Sequence, residues 1–134
     1  MSEKPPIDFD WVNARAKCSP SSMFVELQID AEKDVERINE LKAKTGVGRL
    51  FELKKTEGSF TVVRFDESQN PTMIAFRLNP ESIIIESNRR HADRIAVTVA
   101  LNNQGQCVLK LDDEELYRWQ LLKRVLEKLF FTNT

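Results

Sequence analysis

The chain has 134 residues, of which 41% are hydrophobic and 31% charged, and its formal net charge is -1. This size and composition predict one globular domain with a single core. The balanced charge argues against nucleic-acid binding, and no apolar run reaches the roughly 18 residues that a membrane helix needs. The N-terminus, MSEKPPIDFD, lacks an apolar signal core, so we expect a cytoplasmic protein.

The first residues carry little that could be buried. Residues 1–8 include Pro5 and Pro6, and they predict a disordered tail ahead of a single domain over 9–134. Residues 9–18 fit two structures. Their alternation of apolar and polar residues favours an extended segment, whereas their alanines and arginine suit a short helix.

The first long helix is predicted between Ser19, a capping residue, and Gly46, a stop signal, with Pro20 at the first helical position. Apolar residues at spacings of three and four form one stripe along it, which predicts the face that packs on the core. The stripe consists of Phe24, Leu27, Ala31, Val35, Ile38 and Leu41.

Two apolar residues of this helix lie outside the stripe. Consecutive residues of an α-helix are rotated by about 100°, and this rotation places Val25 and Ile29 outside the stripe. They need a cover, which either Phe9 and Trp11 or a partner protein would supply. We therefore predict an interaction surface made of Val25, Ile29 and Trp11.

From residue 49 to residue 111 the apolar period changes to two, which indicates β-strands. We predict six strands, at 49–56, 59–66, 72–78, 82–87, 94–102 and 106–111. The connections are short, and short connections imply antiparallel pairing. The sequence thus predicts a meander that forms a curved sheet or a partial barrel.

The last segment, DDEELYRWQLLKRVLEKLFF, predicts a long amphipathic helix capped by Asp112 or Asp113. Its apolar face must pack on the sheet or on another subunit. The predicted fold class is α+β. This order of elements is similar to that of pleckstrin-homology-like domains, although no motif supports the similarity and the first long helix departs from it. The apolar face comprises Leu116, Trp119, Leu122, Leu126, Leu129 and Phe130.

Cys18 and Cys107 are predicted to be free thiols, because thiols stay reduced in the cytosol. A disulfide bond between them is the alternative. Cys107 alternates in phase with Leu109 and Leu111, so it is interpreted as a small buried residue.

Recognisable catalytic and cofactor chemistry is missing. The glycines lack the spacing of a dinucleotide or phosphate loop, and the two cysteines and His91 are too dispersed for a zinc site. His91 is the only histidine, and no nucleophile lies in a known motif. We predict a protein that is not an enzyme and that holds no cofactor and no metal.

The stretch SNRRHADR joins two predicted strands and is the most basic turn of the chain. A guanidinium group can donate two parallel hydrogen bonds to a phosphate or to a carboxylate. We therefore predict that the turn binds such an anion through Arg89, Arg90, His91 and Arg94. The alternative is a solvated turn that keeps a hairpin soluble. A small anionic ligand or an acidic partner is the binding hypothesis here.

Three functions compete at this point. The first is a non-enzymatic binding or adaptor module that acts through protein contacts or self-association. The second is a carrier or sensor with a small ligand between the sheet and the C-terminal helix, because Ala96, Thr98 and Ala100 make one strand face small. The third is an enzyme of unfamiliar type that uses Arg89, His91 and Asp93.

Overall fold

A computed structural model describes residues 8–46, 50–65, 71–89 and 94–131. The helices are α1 (Trp11–Lys17), α2 (Pro20–Ala43) and α3 (Arg118–Phe131). The strands are β1 (Phe51–Thr56), β2 (Ser59–Arg64), β3 (Thr72–Leu78), β4 (Ile83–Ser87), β5 (Ile95–Leu101), β6 (Cys107–Leu111) and β7 (Glu114–Leu116). The predicted α+β class is confirmed. The predicted tail lies outside the described residues, except for Asp8.

The strands form one antiparallel sheet in the order of the chain, with β1 and β7 at its two open edges. The neighbours of β5 change along its length. Residues 95–97 pair with β4, and residues 98–101 pair with β6. The predicted meander is therefore an open sheet.

The end of the meander differs from its prediction. The described residues form seven strands, one more than predicted, and the prediction that Asp112 or Asp113 caps the last helix is wrong, because α3 begins at Arg118. Asp112 has a φ of 55° and forms, with Asp113, the turn that leads into β7. An aspartate tolerates this left-handed conformation. Leu116 consequently pairs with Leu109 across the sheet instead of lying on the helix.

Two structures were predicted for residues 9–18, an extended segment and a short helix, and the structure has the helix α1 there. Asp10 caps α1 by accepting a hydrogen bond of 3.1 Å from the backbone N–H of Asn13. None of the residues of α1 is buried. Packing therefore contributes little to the position of this helix.

A disulfide bond between Cys18 and Cys107 ties the end of α1 to β6, with the Cα atoms 5.4 Å apart. The prediction of free thiols is wrong, and the interpretation of Cys107 as a buried residue is wrong too, because Cys107 is exposed. The two residues are 89 positions apart in sequence. Only the return of the meander to the start of α2 brings them together.

The predicted limits of α2 are confirmed. The side chain of Ser19 accepts a hydrogen bond of 3.2 Å from the backbone N–H of Ser22, and Pro20 occupies the first turn. After Ala43 the chain turns through Gly46, whose φ of 84° favours glycine. The apolar stripe of α2 is buried except for its last member, Leu41.

The core lies between the sheet and the two long helices. Phe60 stacks on Phe76 with ring centroids 4.4 Å apart, and Phe24 of α2 meets Phe60 at 5.2 Å. Phe130 of α3 meets Phe51 edge-on at 5.0 Å. Burial of such side chains stabilises the fold by about 1.5–3 kcal/mol each before conformational entropy is subtracted.

The helices α2 and α3 lie side by side on one face of the sheet and run in the same direction. Arg118, the first residue of α3, bonds to Asp30 in the middle of α2. At their C-terminal ends, both helices reach the β1 side of the sheet: Asn39 bonds to Phe51, and Arg64 of β2 donates to the carbonyl oxygen of Leu129 at 3.0 Å. A furrow therefore runs between the two helices.

Candidate binding groove between the two long helices

The furrow between α2 and α3 widens into a groove of about 370 Å³. Its floor is apolar, and several of its apolar side chains remain uncovered. Leu41 is 40% exposed, Trp119 is 63% exposed and Phe131 is 51% exposed. The apolar lining consists of Ile38, Leu41, Trp119, Leu122, Leu126, Phe130 and Phe131.

Trp119 corrects a prediction. It was expected within the buried apolar face of the last helix, but it points away from the core at the start of α3. Leu121, which was not assigned to that face, is fully buried in its place. The other residues of α3 assigned to that face are buried as predicted, so the exposure of Trp119 is limited to the first turn of the helix. Trp119 also borders two further surface depressions.

Charged residues line the rim of the groove, and most of them are paired. Arg37 donates to Glu40 at 3.1 Å, one turn along α2. Lys123 and Glu127 form an ion pair of 3.3 Å on α3. All four side chains are more than half exposed, so these pairs contribute little to stability.

Asp34 is the exception on this rim. Among the residues that the structure describes, it has neither a hydrogen bond nor an ion pair. Partial burial raises the pKa of the Asp34 carboxyl above its ordinary value, and the nearby negative charge of Asp30 raises it further. The side chain of Asp34 is largely accessible to water, and it is the one carboxylate of the described groove lining without a basic partner.

One end of the groove is fixed by Arg118. Its Nε donates to Asp30 at 2.6 Å, and its Nη1 donates to Glu26 at 2.7 Å. The hydrogen bond to Asp30 raises the pKa of Arg118, the charges of Asp30 and Glu26 add to this, and burial opposes it. Arg118 therefore remains charged and joins the start of α3 to α2.

The other end is fixed by Asn39, which clamps α2 onto β1. Its Nδ2 donates to the carbonyl oxygen of Phe51 at 2.9 Å. Its Oδ1 accepts from the backbone N–H groups of Phe51, at 3.1 Å, and Leu50, at 3.3 Å. The two ends of the groove are thus held by polar contacts, while its apolar middle is open.

The basic turn SNRRHADR is only partly described. Arg94 contacts Glu86 at 3.3 Å, and Arg77 also binds Glu86. The guanidinium of Arg89 donates to the side-chain oxygen of Thr72. These two arginines of the turn are therefore engaged within the chain.

Arg90 and His91 lie outside the described residues, as does Asp93. Binding of an anion by Arg89, Arg90, His91 and Arg94 stays a prediction, and so does an enzyme built on Arg89, His91 and Asp93. Within the described ranges, no group of three or more His, Cys, Asp or Glu side chains is arranged to hold a metal ion.

The predicted surface of Val25, Ile29 and Trp11 is exposed at all three residues. Trp11 does not cover the other two, as one of the two alternatives required. A partner for this surface stays a prediction.

The sheet and α3 are in direct contact. Leu121, Leu122 and Leu126 are each at most 2% exposed and fill the space between them. No feature of the described residues favours a ligand at that position, and the carrier hypothesis stays untested.

Leu41 and Asp34 were not singled out from the sequence. Leu41 is the last member of the stripe that was predicted to be buried, and Asp34 is one of many acidic residues on α2. No sequence signal separates either residue from its neighbours on α2.

Comparisons of this chain with known protein families, with curated proteins and with solved structures find no match. Its function must therefore be inferred from its own residues. None of the helices within the described ranges combines the length and the apolar character that a membrane crossing requires.

Proposed function

We propose that this chain is a non-enzymatic binding module that receives an apolar surface of a partner protein in the groove between α2 and α3. The observation that carries the proposal is the exposure of Leu41 and Trp119 along one apolar groove. Both residues lie on helices whose remaining apolar stripes are buried. Exposed aromatic and aliphatic side chains in a groove are typical of protein-contact sites.

A photo-crosslinking experiment tests this function. The crosslinking residue p-benzoylphenylalanine replaces Lys123 on the rim of the groove, and in the control protein it replaces Thr98, which is exposed on the face of the sheet away from the helices. We expect an adduct of discrete mass in cells of the source organism from position 123 and none from position 98.

A second substitution makes the adduct informative. Leu41→Glu places a charge in the groove, and because Leu41 is already 40% exposed, we expect the fold to survive, as a circular dichroism spectrum would show. The adduct from position 123 should disappear in this variant. An adduct that persists with Leu41→Glu, or that forms equally at both positions, would contradict the proposal.

The compartment is tested separately. The cytoplasmic location expected from the N-terminus stays a prediction, whereas the bond between Cys18 and Cys107 is typical of oxidising compartments. Trapping the thiols with acid and alkylating them in intact cells decides between the two. Protein with two alkylated cysteines supports the cytoplasm, and protein with none supports an oxidising compartment.

A further inference from the structure

The groove is long enough for a short helix. It lies between two helices that run side by side, which is the furrow into which a third helix packs its side chains. Its lining extends from Trp119 to Phe131 along α3, about 18 Å, and from Asp34 to Leu41 along α2, about 10 Å, at 1.5 Å per residue. An occupant of about two to three helical turns would span it.

The charges on the rim favour a basic occupant. Arg37 and Lys123 are each paired with a glutamate, so their positive charges are already balanced within the chain. Asp34 lies in the same groove and is unpaired among the described residues. A cation placed at Asp34 would compensate its charge, whereas Asp30, one turn away on α2, is already paired with Arg118.

Trp119 strengthens this preference. Its ring borders the groove and is 63% exposed. A lysine or arginine packs its aliphatic stem on an indole ring while its charged end remains free to reach a carboxylate. Trp119 and Asp34 both line the groove, so a basic residue of an occupant finds a ring and a carboxylate there.

We propose that the groove binds an amphipathic helix of a partner protein that lays its apolar face on Leu41 and Trp119 and places a lysine or arginine at Asp34. This inference rests on the proposed function, since it names the class of partner that the groove receives. A second copy of the chain fits less well. Facing grooves of two copies would bring Asp34 and Glu127 of each copy together with Arg37 and Lys123, so a second copy has no net positive charge to offer Asp34.

Two synthetic helical peptides test the inference. They share one leucine face, and their polar faces carry lysine in one peptide and glutamate in the other. Binding is measured by fluorescence on the full chain with Trp11→Phe, so that Trp119 is the only tryptophan. We expect saturable binding of the lysine peptide, and weaker binding of the glutamate peptide, at moderate salt.

The variant Asp34→Asn identifies the contact. It should weaken binding of the lysine peptide by about three- to fivefold, the size of a partly exposed ion pair, and it should not weaken binding of the glutamate peptide, because a repulsion is removed. Glu36→Gln is the matched control, because it removes an exposed carboxylate of α2 that does not line the groove. It should leave both affinities unchanged.

The outcomes separate the inference from the proposed function. Equal binding of the two peptides, or an unchanged affinity in Asp34→Asn, overturns the basic partner but leaves the groove as a docking site. Binding of neither peptide also overturns the inference, and the crosslinks from position 123 then decide the proposed function alone. A dimer in sedimentation velocity that Leu41→Glu abolishes overturns it in favour of a second copy.

Discussion

Cys18 and Cys107 join the N-terminal part of the chain to the sixth strand through a disulfide bond between residues 89 positions apart. Cys18 is buried and directly precedes Ser19, the cap of α2. The bond therefore fixes both the end of α1 and the start of α2 against the sheet. Packing offers little else to α1, since none of its residues is buried.

Reduction of this bond should destabilise the protein strongly. A crosslink that closes a loop of this length removes conformational entropy worth about 4–5 kcal/mol from the unfolded chain, although strain lowers the measured effect. We expect the urea midpoint to fall when dithiothreitol is added. Hydrogen exchange should then increase first in α1.

The double variant Cys18→Ala with Cys107→Ala is the control for that measurement. It should have the low midpoint under both conditions and should not respond to dithiothreitol. If the unsubstituted protein keeps its midpoint in dithiothreitol while alkylation shows two free thiols, the bond does not stabilise the fold as described.

The side chain of Asn39 should be among the most sensitive polar positions of the chain. It serves three backbone groups of Leu50 and Phe51 at the entry to β1. Asn39→Ala leaves these groups without that partner, and we expect a loss of about 1–3 kcal/mol in the free energy of unfolding. Asn103→Ala, in an exposed turn, is the control and should change stability by less than about 0.5 kcal/mol. Equal effects of the two substitutions in urea titrations would contradict the role of the clamp.

The order of elements could be predicted because each strand carries its own local signals. For β3, the alternation of apolar residues between two turn signals predicted 72–78, and the structure has Thr72–Leu78. Strand β7 was missed for a physical reason. Three residues are too few to show a period, and Asp112 and Asp113 suit a hairpin turn as well as a helix cap.

The candidate site could be predicted less well, because it depends on how two helices meet. Periodicity gives the angle of Leu41 or Trp119 around its own helix, but it does not say how far the neighbouring helix extends. Both residues lie at the edge of an apolar stripe, where the second helix no longer covers them. The bond between Cys18 and Cys107 was assigned wrongly for a related reason, since it depends on the path of the whole meander.

Asp34 should make the stability of the fold depend on pH in a direction that is unusual for an aspartate. Its pKa is raised in the folded chain above the ordinary value of 3.8, by partial burial and by Asp30. The folded state thus binds the proton more tightly than the unfolded state does. The resulting penalty is absent below pH 3.8, appears as the pH rises through the folded pKa, and is fully present at neutral pH.

Asp34→Asn should therefore raise the melting temperature slightly at neutral pH, and the gain should vanish below about pH 3.8. Melting curves of both proteins between pH of about 3 and 7 give this difference directly. Glu36→Gln removes one carboxylate from the same helix and measures the effect of net charge alone. A difference that does not vary with pH would contradict the raised pKa. The same substitution is expected to lower the affinity for the lysine peptide. A variant that is more stable and binds this peptide less tightly would show that Asp34 favours binding and lowers the stability of the fold.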